Sequence, residues 1–165
     1  MFDFKNIEKC INDAKQSTAF QNAIHDYQAA NSIGFVAHGG NLGIADHAAV
    51  DAMRHTGKVC LAPGSGVVAT CMFNDHESQW QKEWIKATKL DMYILITSTA
   101  RSDAFVWALD HLEQNSIPHC VITGKPLRSK NAIELCLPTY HEMEVAALAM
   151  TYEMINQAGY KCPSL

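Results

Sequence analysis

Met92-Tyr93-Ile94-Leu95-Ile96-Thr97 runs straight into Ser98-Thr99-Ala100-Arg101-Ser102-Asp103. The first stretch is apolar at every position up to Thr97, so as a strand it has no polar face. Strands of that kind are covered on both sides, as in a parallel sheet. The second stretch is small and hydroxyl-rich, and residues 103–115 after it read as a helix. Outward from this strand, loop and helix, the same order recurs. Upstream, residues 33–37 form a short apolar run ending in Gly39-Gly40, and a helix fits 42–56, closed by Gly57. Residues 58–62 make a second strand before Pro63-Gly64. Residues 65–74 and 77–88 read as helical, with Asn74-Asp75 between them. Downstream, Ile117-Pro118 precedes a fourth strand at 119–123. A fifth fits 132–137, a last helix spans about 142–157, and the tail from Gly159 to Leu165 reads as irregular.

Fully apolar strands separated by helices predict an α/β fold, a doubly wound five-stranded parallel sheet in flavodoxin-like order, 2-1-3-4-5. Residues 3–30 precede it as a helical segment. Phe4, Ile7, Ile11 and Ala14 recur at spacings of three and four, and a second helix carries Phe20, Ala23, Ile24 and Tyr27 after a cap at Ser17-Thr18. With 165 residues and no repeats or long linkers, the reading is one domain, 1–165, with N-terminal helices at 1–31 and an α/β core at 32–157.

A net charge of −4 argues against a general binder of nucleic acid or anionic membrane, which needs a cationic surface. No apolar run approaches the roughly 18 residues of a membrane span. Met1-Phe2-Asp3-Phe4-Lys5 lacks the charged-then-apolar pattern of a signal. The six cysteines, at 10, 60, 71, 120, 136 and 162, form no CxxC pair, and those at 60, 120 and 136 fall in apolar runs that read as strands. Reduced, buried thiols in a cytoplasmic protein are expected.

In the expected strand order, strands 1 and 3 are neighbours where the winding reverses, and ligands bind beyond their carboxyl ends. The loops there are His38-Gly39-Gly40-Asn41 and Thr97-Ser98-Thr99-Ala100-Arg101-Ser102. Gly39 and Gly40 let the backbone turn with positive φ, and Asn41 suits a helix N-cap. Free N–H groups at a helix start attract anions. The hydroxyls of residues 97, 98, 99 and 102 match phosphate oxygens, and Arg101 offers bidentate contacts. No GxxxxGK[ST] loop is present, which argues against a nucleotide triphosphatase.

These loops resemble those of the SIS (sugar isomerase) family, closest to its phosphoheptose isomerases. The family's Gly-Asn-Gly-Gly-Ser reads Ala37-His38-Gly39-Gly40-Asn41 here. Its Ser-Thr-Ser-Gly-Asn-Ser loop reads Thr97-Ser98-Thr99-Ala100-Arg101-Ser102, with each hydroxyl kept and Gly and Asn replaced. Its Asn-Asp pair reads Asn74-Asp75, and strand 4 ends in a similar Thr123-Gly124-Lys125.

The resemblance implies an aldose–ketose isomerase acting on sedoheptulose 7-phosphate or a similar sugar phosphate, assembled as a homo-oligomer, tetramer or dimer. It implies that Asn41, Ser98, Thr99 and Ser102 hold the phosphate and that Asp75 lies near the sugar hydroxyls. The family's catalytic His and Glu on the helix after the first motif correspond to His47 and Asp51, at a spacing that places both on one face. On the last helix the family's Gln, His and catalytic His align with Glu144, Ala147 and Tyr152, with His141 and Glu153 as nearby alternatives. Asp is one methylene shorter than Glu, and a tyrosine of ordinary pKa near 10 is a poor base at neutral pH. Some relatives bind zinc here, and His47 and Asp51 with Glu144 or His141 would be the candidate ligands. The family's ligand set is not preserved, so no metal is assigned. The departures at both proton-transfer positions leave a second expectation open, a phosphosugar-sensing or protein-interaction member of the same family that does no chemistry.

Overall fold

The computed structural model describes residues 2–64 and 66–161, so Met1, Ser65 and Cys162 through Leu165 lie outside the described residues. The order of elements is α1 (Phe4–Lys15), α2 (Thr18–Ala29), β1 (Ser32–Ala37), α3 (Asn41–Thr56), β2 (Val59–Leu61), α4 (Gly66–His76), a 3₁₀ turn (Glu77–Gln79), α5 (Trp80–Thr88), β3 (Met92–Thr97), α6 (Asp103–Gln114), β4 (His119–Thr123), β5 (Ala132–Glu134) and α7 (Tyr140–Gln157). The five strands form one sheet in the order β2-β1-β3-β4-β5, and every pairing is parallel. This is the fold class and strand order expected.

Alternate residues of each strand face opposite sides of the sheet. Ile33, Phe35 and Ala37 of β1, Met92, Ile94 and Ile96 of β3, and Cys120 and Ile122 of β4 join a core with α1, α2, α3 and α7. Val36, Tyr93, Leu95 and Val121 face the other way, into a core with α5 and α6. Both faces are buried, which is why these strands carry no polar alternation. Each fully buried aliphatic side chain contributes about 1.5–3 kcal/mol.

Local chemistry sets the helix boundaries. Ser17 and Ser102 accept the N–H groups of Phe20 and Phe105 and so start α2 and α6. Thr139 caps α7, its hydroxyl accepting from Glu142 N–H at 3.2 Å and donating to the Glu142 carboxylate at 2.9 Å. The backbone N–H of Asp3 donates to the other Glu142 oxygen at 3.1 Å, tying the start of the chain to the last helix. That N–H, with the Thr139 hydroxyl, holds the Glu142 carboxyl below its usual range.

Three expectations need correction. β2 and β5 are three residues long, and β2 is an edge strand with Val59 and Leu61 exposed. Asn74 and Asp75 lie in the last turn of α4 and do not separate two helices. Cys60 and Cys120 are buried as expected, and burial pushes the Cys60 thiol up to about 11. Cys136, however, lies just past β5 and is exposed, as is Cys71 on α4.

Candidate functional site

β1 and β3 pair directly, with Ala37 opposite Ile96. Their following loops therefore leave the sheet side by side and enclose a cavity of about 480 Å³. His38, Gly39, Gly40 and Asn41 line it from the first loop, and Thr97, Ser98, Thr99 and Ser102 from the second. Glu144 of α7 closes one side. Of the expected binding residues, only Asp75 and Arg101 are outside this lining. Asp75 sits on α4, and Arg101 lines an adjoining pocket.

The start of α3 differs from the expectation. The N-cap is Gly40 and not Asn41, and no side chain caps the helix. Gly39 takes φ +62, the left-handed region that favours glycine, to turn the chain into the helix. Asn41, 6% exposed, instead points its amide across to the second loop, where Nδ2 donates to Ser98 Oγ at 2.9 Å. Its Oδ1 is buried without a hydrogen-bond partner. An orphaned buried acceptor costs about 1–3 kcal/mol unless a donor arrives.

The hydroxyl loop is set for donation. Thr97 Oγ1 accepts from Ala100 N–H at 3.0 Å, Ser98 Oγ from Asn41, and Ser102 Oγ from Phe105 N–H at 3.3 Å. A hydroxyl that accepts from the protein keeps its own proton to donate elsewhere. The loop is packed against the end of β4. Gly124 N–H donates to Thr97 O at 3.1 Å, and a Cβ on Gly124 would sit 2.7 Å from the Ser98 carbonyl oxygen. Only glycine permits that approach.

Reading the sequence alone missed Gln81 and Tyr140, which stand in the cavity wall together with His141, the alternative named on the last helix. Gln81 is 2% exposed and donates to Ala37 O at 2.8 Å, bracing the first loop from α5. Nothing in the local pattern Trp80-Gln81-Lys82-Glu83-Trp84 marks the glutamine as buried. His38 lies beside Trp80, with ring centroids 6.4 Å apart. His141 Nδ1 is 3.7 Å from Glu144 Oε2.

The three residues aligned with the family's proton-transfer machinery meet each other, away from the cavity lining. Tyr152 of α7 donates to Asp51 Oδ2 of α3 at 2.5 Å. His47 Nε2 lies 3.1 Å from both the Tyr152 hydroxyl and Asp51 Oδ2. Arg54 reaches the other Asp51 oxygen at 3.2 Å. The Tyr152 hydrogen bond, then the charges of His47, His55 and Arg54, hold the Asp51 carboxyl below the usual range against the opposing effect of its burial. Ten residues along α3 separate Asn41 from Asp51, about 15 Å of helix axis. Glu153 pairs with Lys15 at 2.7 Å instead of joining this cluster. Among the described residues no group of three His, Cys, Asp or Glu side chains could hold a metal ion.

By sequence, no protein-family profile and no curated protein matches the chain. By structure, it is similar to a phosphoheptose isomerase from Neisseria gonorrhoeae, with TM-score 0.69 and 12% identity over 94% of each chain. It is also similar to one from Francisella tularensis, with TM-score 0.77 and 11% identity over 94% of this chain and 93% of that one. At such identity the likeness is one of fold, and it covers 94% of the chain.

Proposed function

We propose that the chain binds a phosphorylated sugar between the first and third strand loops and acts on it as an aldose–ketose isomerase of the phosphoheptose isomerase type. The observation that carries this reading is the pairing of opposite needs in one cavity. The uncapped start of α3 and the hydroxyls of Thr97, Ser98 and Ser102 call for an anionic acceptor, while the orphaned Asn41 Oδ1 calls for a donor. A sugar phosphate supplies both, its phosphate oxygens accepting and its sugar hydroxyls donating. Two solved phosphoheptose isomerases of the same fold support the choice of sugar.

Isomerisation moves one proton between adjacent carbons and one between their oxygens, with no net oxidation. In this reading Asp51 takes the carbon-bound proton and returns it to the neighbouring carbon, while Tyr152 and His47 serve the oxygens. No metal is assigned. Purified protein incubated with sedoheptulose 7-phosphate should produce the aldose. Absence of turnover beside an active isomerase control would remove the catalytic half of the proposal.

A second reading is binding without chemistry, as in a phosphosugar sensor. It is favoured by the location of His47, Asp51 and Tyr152 outside the cavity lining and by the depressed Asp51 pKa, since a general base works best near the operating pH. Calorimetric binding without turnover would select it.

Self-association belongs to the same proposal. α4 carries no buried residue among those described, yet reads Gly66-Val67-Val68-Ala69-Thr70-Cys71-Met72-Phe73, with Val67 72% and Phe73 51% exposed. This apolar helix face suits a second copy of the chain, and Val59 and Leu61 of the edge strand β2 are exposed as well. Light scattering at micromolar concentration should give a dimer or tetramer, and a monomer would contradict it. No helix among the described residues is long and apolar enough to cross a membrane.

A further inference from the structure

A second pocket of about 290 Å³ adjoins the first cavity and shares Ser98, Thr99 and Tyr140 with it. Its other polar walls are Arg101, Lys125 and Thr139. The two spaces differ in charge. The first has Glu144 and no lysine or arginine in its lining, whereas the second has two cations and no carboxylate. Among the described residues neither Arg101 nor Lys125 makes an ion pair, although Arg54, Lys15, Lys82 and Lys86 do.

The two cations are brought together by the sheet. β3 and β4 are neighbours with Thr97 opposite Thr123, so the loops that follow run side by side. Gly124 packs on Ser98 and hydrogen-bonds Thr97, which fixes the next residue, Lys125, beside the hydroxyl loop. The buried Thr123 pins the Lys125 backbone twice, its Oγ1 accepting from Lys125 N–H at 3.2 Å and donating to Lys125 O at 2.9 Å. Arg101 follows Ala100, whose φ of +54 turns the loop at that point. Two unpaired cations over a shared hydroxyl wall match a second anion.

We infer that the ligand carries two anionic groups, one seated in the first cavity and the other between Arg101 and Lys125. Its class is a phosphosugar with a second phosphate or a carboxylate. This rests on the phosphosugar reading above and narrows the class of ligand the site binds.

Titration calorimetry on the full chain tests it with two matched pairs. These are sedoheptulose 7-phosphate against sedoheptulose 1,7-bisphosphate, and glucose 6-phosphate against 6-phosphogluconate. At least one doubly anionic member should bind about tenfold or more tightly than its partner, and the pair that responds identifies the second group. In the double variant Arg101→Gln/Lys125→Gln that gap should close, with the doubly anionic ligand losing far more affinity than the singly anionic one. Equal affinities within both pairs would overturn the inference. So would a variant that weakens both members of a pair alike, because the cations would then serve a single phosphate. If no phosphosugar binds at all, the underlying reading fails and this one with it. Both side chains are exposed, and thermal unfolding of the variant confirms an intact fold.

Discussion

Tyr152 donates its phenolic proton to Asp51 at 2.5 Å across the contact between α7 and α3. The residue aligned with the family's acid thus holds the residue aligned with its base. A hydrogen bond to a charged group is worth about 1.5–3 kcal/mol. Tyr152→Phe should therefore destabilise the protein by about 1–2 kcal/mol at neutral pH, since Arg54 and His47 remain. Asp51 has a lowered folded pKa, so its contribution is full above the unfolded value of about 3.9 and is lost as pH falls through the folded value. The gap between wild type and Tyr152→Phe should be widest above pH ~4 and narrow on further acidification. Urea unfolding at pH 7 and pH 3 measures it, and a gap that does not change with pH would contradict it.

Glu144 places a carboxylate in the wall of a cavity assigned to an anion. Glu144→Gln removes that charge and restores the family's amide. Affinity for a sugar monophosphate should rise by about three- to tenfold at low salt and by less at high salt. Calorimetry at two ionic strengths checks both effects. Weaker binding in the variant would mean that Glu144 accepts a ligand hydroxyl through its charge.

Ala100 adopts φ +54 at the position where the family carries glycine. A left-handed alanine is strained by about 1–2 kcal/mol, while glycine loses about 0.4–1 kcal/mol more chain entropy on folding. Ala100→Gly should therefore gain about 0.5–1 kcal/mol, a rise of roughly 1–4 °C in Tm. Differential scanning calorimetry provides the test.

The architecture was legible in the sequence because burial on both faces leaves its mark on composition. Met92 through Ile96 carries no polar residue, and no polar residue would survive there. β2 and β5 were read too long because edge pairing ends before the apolar run does, as at Leu135 and Leu137, which stay buried after the strand has stopped. The loops of the cavity were legible through their small residues. Gln81 was not, since its role depends on α5 packing beside β1, which no local pattern reveals. Nor did helical spacing show that His47 and Asp51 pair with Tyr152 while leaving the cavity wall to Glu144 and His141. That depends on how α7 crosses α3.

The cysteines divide by environment. Cys71 and Cys136 are exposed, whereas burial raises Cys60 to about 11 and Cys120 also well above the ordinary range. A thiol reagent at pH 8 should modify Cys71 and Cys136 quickly, with Cys60 and Cys120 reacting only on unfolding. Peptide mapping after brief labelling would identify the sites, and early modification of Cys120 would contradict the burial.

Because β1 pairs directly with β3, everything from β2 through α5 is a detour that leaves the sheet centre and comes back to it. Both loops of the cavity hang from that one strand pair, and of the detour's described residues Gln81 alone lines it. Ala69, Thr70 and Phe73 of α4 face His38 and Gly39 of the first loop, but the outward residues of that helix can change without altering the cavity wall. Sequence change on the outside of α4 and sequence change in the cavity wall can therefore proceed at separate rates.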